Sequence, residues 1–407
     1  MIKLGCCDVG TTDQAQSDYL AELERLTRVP IDQVASGADK LQLTPYAPPH
    51  DATRGVGQNV MQLQQALVQT AFFPGGKADG ICGYRTLSAI RLFQEYVRSV
   101  EKLACTPDGL FGPQSQRHLD RWTSDGLEAD WQASFSAWQA RQSAAPEYEQ
   151  WLTLLRRYRD KAISDPTPVQ SLVNDFKGPS DTNKAADLDF SPQHIHLIGI
   201  RRRVFSGKFD DAFILLIKGL VFKFQGSTEP GYSEDKRGTP FLVNGQHDYH
   251  FGWHQLRYLA LRPRHFSHGV LVVRSRDNKR LDAADLNNGL EANASINIHW
   301  GGKGGQFNVA TWSAGCQVIN GLYYTNHQDA MVDCSSFVAT NNKAVNNNSS
   351  LTRGAYNVLL DLITALSGDM RSNTVKYTLL DENDLSHDAN LRSKIAQAHD
   401  DVMGKLT

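Results

Sequence analysis

The sequence predicts a multidomain α+β protein: a small helical bundle, a helical linker, then a mainly β domain with C-terminal helices. Three observations point there. Apolar residues recur at helical spacing from Val60 to Val97, tryptophans crowd a helical stretch between residues 120 and 180, and short β-rich runs separated by Gly, Pro, Asn and Asp follow Pro192. A length of 407 residues suits two or three domains. The balance of 42 Lys+Arg against 44 Asp+Glu gives a net charge of −2, which offers no broad attraction for nucleic acid or an anionic membrane, so any partner is recognised locally.

Residues 1–55 are polar, are broken by Pro30, Pro45, Pro48 and Pro49, and carry one predicted helix around Gln14–Arg28; they read as an arm. Residues 56–122 read as a compact helical domain. Val60, Leu63 and Leu67 share one helix face, Pro74-Gly75-Gly76 ends that helix, and Leu87, Ile90, Phe93 and Val97 mark the next. Within this domain Asp79-Gly80-Ile81-Cys82-Gly83 recurs as Asp108-Gly109-Leu110-Phe111-Gly112, each copy just ahead of a helix. An Asp-Gly step makes a tight turn, so the repeat predicts two equivalent rigid ledges. Residues 123–190 read as a helical linker. Its Trp131, Trp138 and Trp151, with Trp122 just before it, suit packing at helical spacing better than stacking on sugars.

Residues 191–407 read as the β domain. Predicted strands cover His196–Ile200, the run Ala212–Phe224, Tyr258–Leu261, Gly269–Arg274 and Ser295–His299, and helices return at Ala355–Leu366 and Asp388–Met403. No stretch approaches the length of a transmembrane span, and the amino terminus lacks the apolar run of a secretory signal. The expectation is therefore a protein made without a signal peptide and without a membrane span.

Six cysteines (Cys6, Cys7, Cys82, Cys105, Cys316 and Cys334) include no C-x-x-C pair. His250 and His254 thus have no cysteine pair to complete a zinc site, and no metal or other cofactor is expected. Cys316 stands out by its setting. A thiol is a nucleophile only as thiolate, and a nearby imidazole can take its proton and return it to a leaving group. His299 ends a predicted strand, Cys316 follows in Ser313-Ala314-Gly315-Cys316, and Gly301, Gly302, Gly304, Gly305 and Gly315 crowd the stretch between them. Glycines allow close backbone approach, and an inert core thiol needs no such company. The plainer reading is a buried core cysteine, the commoner fate of a lone Cys.

Two resemblances bear on these patterns. Leu63-Gln64 with Leu67, the turn Asp79–Gly83, Thr86–Ile90 leading to Phe93-Gln94, and the turn Asp108–Gly112 with Leu119 make Val60–Leu119 similar to the peptidoglycan-binding domain of many cell-wall enzymes. That resemblance implies peptidoglycan as partner, with Asp79, Arg85 and Asp108 as candidate contacts. The sequence departs from the family at Cys82, where an aromatic is usual, and in the insert Glu95–Thr106 that holds Cys105; a Cys82–Cys105 bridge would join the two oddities.

The stretch Ile195–Leu322 resembles the L,D-transpeptidase (YkuD-like) catalytic domain, through His299-Trp300-Gly301-Gly302, Ser313–Cys316, and two candidates for a Thr-Pro-x-Gly turn, Ser227–Gly231 and Thr239-Pro240-Phe241. The resemblance implies Cys316 as nucleophile, His299 as its base, Ser313 ordering the loop, and the Gly315 and Cys316 amides as the oxyanion site. Tyr249, His254, Trp300, Gly301 and Arg262 are candidate substrate contacts, and His250, Trp253 and Arg274 are further neighbours to weigh. The family carries a second His where this chain has Ala314, and Gln317-Val318 also departs from it.

Together the resemblances imply a cysteine enzyme acting on peptidoglycan stem peptides through an acyl-enzyme. Ala314 and Gln317 favour an L,D-carboxypeptidase or endopeptidase over an L,D-transpeptidase, and a non-catalytic wall-binding module is the reading from another class. Action in the periplasm or at the cell wall without a signal peptide implies non-classical delivery by lysis, a phage or a secretion apparatus. An antibacterial effector or phage lysis factor would fit, and an effector would bring an immunity protein as partner.

Overall fold

The computed structural model describes residues 58–80, 82, 84–140, 146–202, 208–231, 236–255, 257–265, 267–276, 281–304, 309, 313–348, 350–367 and 374–406. The expected arm over 1–55 and its helix around Gln14–Arg28 lie outside the described residues. The fold is mixed α+β, with helices in the N-terminal part and a β-rich C-terminal region.

The N-terminal helices are α1 (Gln58–Gln69), α2 (Tyr84–Ser99), α3 (Pro113–Ser124), α4 (Gln132–Gln139), α5 (Pro146–Ser164) and α6 (Pro168–Asp175). The internal repeat has one physical basis, a buried glutamine at each turn. Gln64 Oε1 accepts the Gly80 amide at 2.8 Å, and its Nε2 donates to Asp79 and to Thr86. Gln94 does the same for the second copy: Oε1 accepts the Gly109 amide at 2.8 Å, and Nε2 donates to Ser115 at 2.9 Å and more distantly to Asp108. Gly80 and Gly109 have φ of 75° and 81°, a conformation that favours glycine.

The tryptophans are packing residues. Trp122, Trp131, Trp138 and Trp151 are all buried, and each indole N–H donates within the fold, to Glu101, the Ala71 carbonyl, the Pro192 carbonyl and Glu147 respectively. Phe72 sits at the centre of the aromatic group, 5.2 Å from Phe93, 5.3 Å from Tyr96 and 5.3 Å from Trp131 between ring centroids.

Twelve strands are described: β1 (Ile195–Arg201), β2 (Asp211–Ile217), β3 (Leu220–Ser227), β4 (Thr239–Leu242), β5 (Gly245–His254), β6 (Tyr258–Pro263), β7 (Val270–Ser275), β8 (Glu291–Asn293), β9 (Ile298–Trp300), β10 (Gln317–Thr325), β11 (Met331–Asp333) and β12 (Val375–Asp381). Nine form one sheet in the order β11-β10-β3-β2-β1-β12-β5-β6-β9, and β9 pairs back on β10, closing it like a barrel; β4-β7-β8 form a second sheet. The expected run Ala212–Phe224 is two strands, because Lys218 (φ 48°) and Gly219 (φ 82°) make a two-residue hairpin turn with both φ positive. Lys218 is buried, with its ammonium over the rings of Phe135 and Trp138 at 5.3 and 5.6 Å.

Three helices follow in the C-terminal region: α7 (Asn342–Asn347), α8 (Ala355–Leu366) and α9 (Ala389–Leu406). α8 carries almost no charge and is buried nearly all round. One of its neighbours is the barrel and another is α2, and a single core cluster runs from Phe72 and Trp131 through Leu362 to Ile298 and Tyr377. The charges at this junction are paired. Arg91 grips Asp361 through both carboxylate oxygens at 2.7 and 2.5 Å, Tyr324 donates to Glu95 at 2.6 Å, and Arg98 reaches the Asp333 carbonyl at 2.8 Å. α5 covers another part of the sheet, where Trp151, Leu152 and Leu155 meet Ile198, Ile214 and Leu216. The helical segments thus share cores with the β region.

Candidate active site

Closure of the barrel brings Cys316 and His299 to neighbouring segments of the sheet. β9 and β10 pair in parallel, with Gln317 beside Ile298 and Val318 beside His299. Cys316 immediately precedes β10 and lies beside Asn297, whose amide donates to Sγ at 3.4 Å; the thiol itself contacts the Ser295 carbonyl at 3.4 Å. Side chains alternate along strands, so Cys316 and Val318 share the face of Asn297 and His299. His254, from β5, meets both ends of that face: its Nδ1 lies 3.2 Å from the Asn297 amide nitrogen, and its ring stacks on His299 with centroids 4.0 Å apart. Two strand residues cover roughly 7 Å and neighbouring strands lie about 4.8 Å apart, so the Cα atoms of Cys316 and His299 stand about 8 Å apart on the diagonal.

The loop before the thiol is held from within. Ser313 Oγ donates to the Cys316 carbonyl at 2.6 Å and accepts the Gly315 amide at 3.1 Å. Gly315 has φ of 141°, and a Cβ there would sit 2.7 Å from Pro240 and 2.9 Å from Ile296. Both expected Thr-Pro-x-Gly candidates border this loop. The Gly231 amide donates to the Ser313 carbonyl at 2.9 Å, and Pro240 of β4 packs on Gly315. Ser313 Oγ thus bridges two positions of the loop. The Gly315 amide is a correction: it is committed to Ser313 Oγ and is not offered to an oxyanion.

The hydrogen bonds of His299 fix its tautomer. Nδ1 lies 2.9 Å from the Trp300 carbonyl, an acceptor only, so Nδ1 carries the proton and Nε2 the lone pair. Tyr258 donates to the same carbonyl at 3.3 Å. Nε2 is buried and has no hydrogen-bond partner among the described residues. Cys316 and His299 are each 1% exposed.

The expected substrate contacts are used otherwise. Arg262 is buried and donates to the main-chain carbonyls of Trp253 and Ala294, and Arg274 grips Glu291 and the Gly238 carbonyl. Tyr249 and Trp300 are fully buried; the Tyr249 hydroxyl donates to the Ile296 carbonyl, and burial pushes its pKa well up. Trp253 is buried too. Gly301 faces Phe209, whose ring a Cβ would approach to 2.5 Å. His250 is partly buried and its pKa is pushed down to about 4, by burial first and then by Arg262. Gln317 points to the opposite face from the thiol and accepts from Tyr377 at 2.9 Å, so its departure from the family pattern has no bearing on an acceptor at Cys316.

In the helical region, Asp79 is exposed but tied to Gln64, Asp108 caps its own turn through the Leu110 amide, and Arg85 lies over Phe73 and donates to the Thr364 carbonyl. Cys82, Cys105, Cys316 and Cys334 are free thiols, so the proposed Cys82–Cys105 bridge is absent. Burial raises the pKa of both Cys82 and Cys105 to about 11, which makes them poor nucleophiles.

Sequence reasoning missed Asn297 as a neighbour of the sulfur and Tyr258 as a second support for the Trp300 carbonyl. Neither position carries a motif; the parallel pairing of β9 with β10 is what exposes them. Comparison with family models, curated proteins and solved structures found no match for the chain.

Proposed function

We propose that the protein is a cysteine-dependent peptidoglycan enzyme that hydrolyses stem peptides, of the L,D-carboxypeptidase or endopeptidase type. The observation that carries this reading is His299, its Nδ1 tied to the Trp300 carbonyl and its Nε2 buried without a partner, on the strand that runs beside Cys316. The reaction follows from these groups. His299 Nε2 takes the thiol proton as sulfur attacks the peptide carbonyl, forming the S–C bond. The C–N bond then breaks and the leaving amine receives that proton. Water, losing a proton to the same nitrogen, attacks the thioester; the S–C bond breaks, the imidazolium returns its proton to the sulfur, and the carboxylic acid product leaves as carboxylate after giving its proton to solvent. The Asn297 amide at the sulfur favours its anionic form. Ala314, whose methyl group offers an acceptor amine no hydrogen bond, favours water over transfer.

A non-catalytic binding protein is the second reading, favoured by the 1% exposure of the thiol and its contact with the Ser295 carbonyl. Incubating defined muropeptides with the wild type and Cys316→Ala, and weighing the products, separates the readings. Loss of a terminal residue or of a cross-link in the wild type alone supports hydrolysis, and exchange of the terminal residue identifies transfer. Identical product masses from both proteins sink the enzymatic reading. Delivery to the periplasm or wall, and any immunity partner, belong to this proposal as its biological setting.

A further inference from the structure

We propose that Asp181, His265 and His268 form a binding site for a divalent first-row transition ion, with Zn2+ as its representative. The ligand atoms of these three residues all lie within 4.8 Å of one another. Asp181 Oδ1 lies 2.6 Å from His265 Nδ1 and 4.0 Å from His268 Nδ1, so two imidazoles converge on one carboxylate oxygen. At 4.0 Å the second imidazole is beyond hydrogen-bond reach. A cation between the three groups satisfies both nitrogens and the carboxylate at once.

The donor set also sets the ion class. Imidazole with a carboxylate suits Zn2+ and its neighbours in the first transition row, whereas Ca2+ and Mg2+ want oxygen throughout. Three protein ligands leave a position for water.

The site is preorganised on its carboxylate side and open on its histidine side. Asp181 has a side chain 2% exposed, and its second oxygen accepts the His265 amide at 2.8 Å. Its own backbone is fastened on both sides, the amide to the Gly269 carbonyl at 2.7 Å and the carbonyl to the Asp248 amide at 2.8 Å. The side chains of His265 and His268 are 47% and 36% exposed, which gives an ion a path from solvent. A bound ion would clamp the β6–β7 connection to the segment ahead of β1. The sequence reading weighed His250 and His254 for metal and passed over His265-x-x-His268, because Asp181 joins it only through the fold.

The test is a titration of tag-free, chelator-treated full-length protein with Zn2+ by calorimetry, alongside Co2+ absorption spectra. The expected result is one ion per chain, weakened at least tenfold by His265→Ala and by His268→Ala. The Co2+ spectrum should lack a thiolate charge-transfer band, and Zn2+ should raise the thermal midpoint of the wild type but not of His268→Ala. His268 makes no hydrogen bond to Asp181, so His268→Ala keeps the His265–Asp181 pair and remains informative should His265→Ala fail to fold. No binding at 100-fold excess of Zn2+, binding unchanged by both substitutions, or a spectrum showing thiolate ligation would each overturn the proposal.

Discussion

Removing the Asp361 carboxylate tests whether the helical region is bolted to the β region or merely leans on it. Arg91 on α2 and Asp361 on α8 meet through two hydrogen bonds of 2.7 and 2.5 Å, with side chains only 10% and 3% exposed. Asp361→Ala strips the largely buried Arg91 guanidinium of the two charge-assisted hydrogen bonds that Asp361 supplies. Breaking a buried pair from one side costs about 3–5 kcal/mol, most of it the penalty of the stranded charge. Replacing both partners with apolar residues of similar size removes that penalty, so Arg91→Met with Asp361→Leu should recover most of the loss. The assay is urea unfolding followed by fluorescence, with Trp122 and Trp131 in the helical region and Trp151 and Trp300 around the barrel. One transition is expected in the wild type. Asp361→Ala should lower its midpoint or detach an earlier phase belonging to the helical region. A cost below about 1 kcal/mol, or a double variant no better than the single one, would refute the reasoning.

Two further outcomes can be checked. Gly315→Ala forces a Cβ to 2.7 Å from Pro240 at φ 141°, so it should cost about 1–3 kcal/mol of stability and, by shifting the thiol, lower the rate of the proposed hydrolysis on the order of a hundredfold; a variant as fast as the wild type would show that this loop does not set the sulfur. His196 and His247 are fully buried and burial pushes each pKa down to about 4, so as pH falls below 6.5 the unfolded chain gains protons that the native state refuses, and stability drops. Asp211 opposes them: burial raises its pKa to about 6, so its contribution is full below the unfolded value of about 4 and is lost as pH rises through 6. His250, which burial also brings down to about 4, acts in the same direction, so three histidine protons oppose one carboxylate proton and stability falls between pH 6 and 4.5. Denaturation midpoints that stay flat or rise across that window would contradict the assignment, and His247→Gln should shrink the slope.

The readable parts of the sequence were those whose physics is local. α8 begins and ends where its apolar run does, and the glutamine-held turns announce themselves as Asp-Gly pairs because only a glycine suits φ near 75–81°. β5 and β10 were not readable. Gln246, His247, Asp248 and His254 are buried polar residues in a strand with no alternation of polar and apolar positions, and their partners come from distant segments: Thr182 for His247, Lys376 for Asp248 and Asn297 for His254. The site followed the same division. Ser313, Gly315 and Cys316 form a contiguous motif whose hydrogen bonds close on themselves, whereas Arg262 looked available until its two carbonyl partners came into view.

His254 shows what the fold adds to the motif. The resembled family carries a second histidine two residues before the nucleophile, and this chain has Ala314 there; an imidazole nevertheless stands over His299, supplied from β5. Its Nδ1 lies 3.2 Å from the side-chain amide nitrogen of Asn297. His299 is thereby constrained twice, its Nδ1 by the Trp300 carbonyl and its ring plane by a stacked neighbour at 4.0 Å. In the proposed reaction, a base that must accept a proton from one direction gains from being unable to rotate, since holding the reacting groups in geometry is itself a large share of catalysis. The same Asn297 that orients His254 presents its backbone amide to the sulfur, so one residue at the edge of β9 couples the thiol to the imidazole stack.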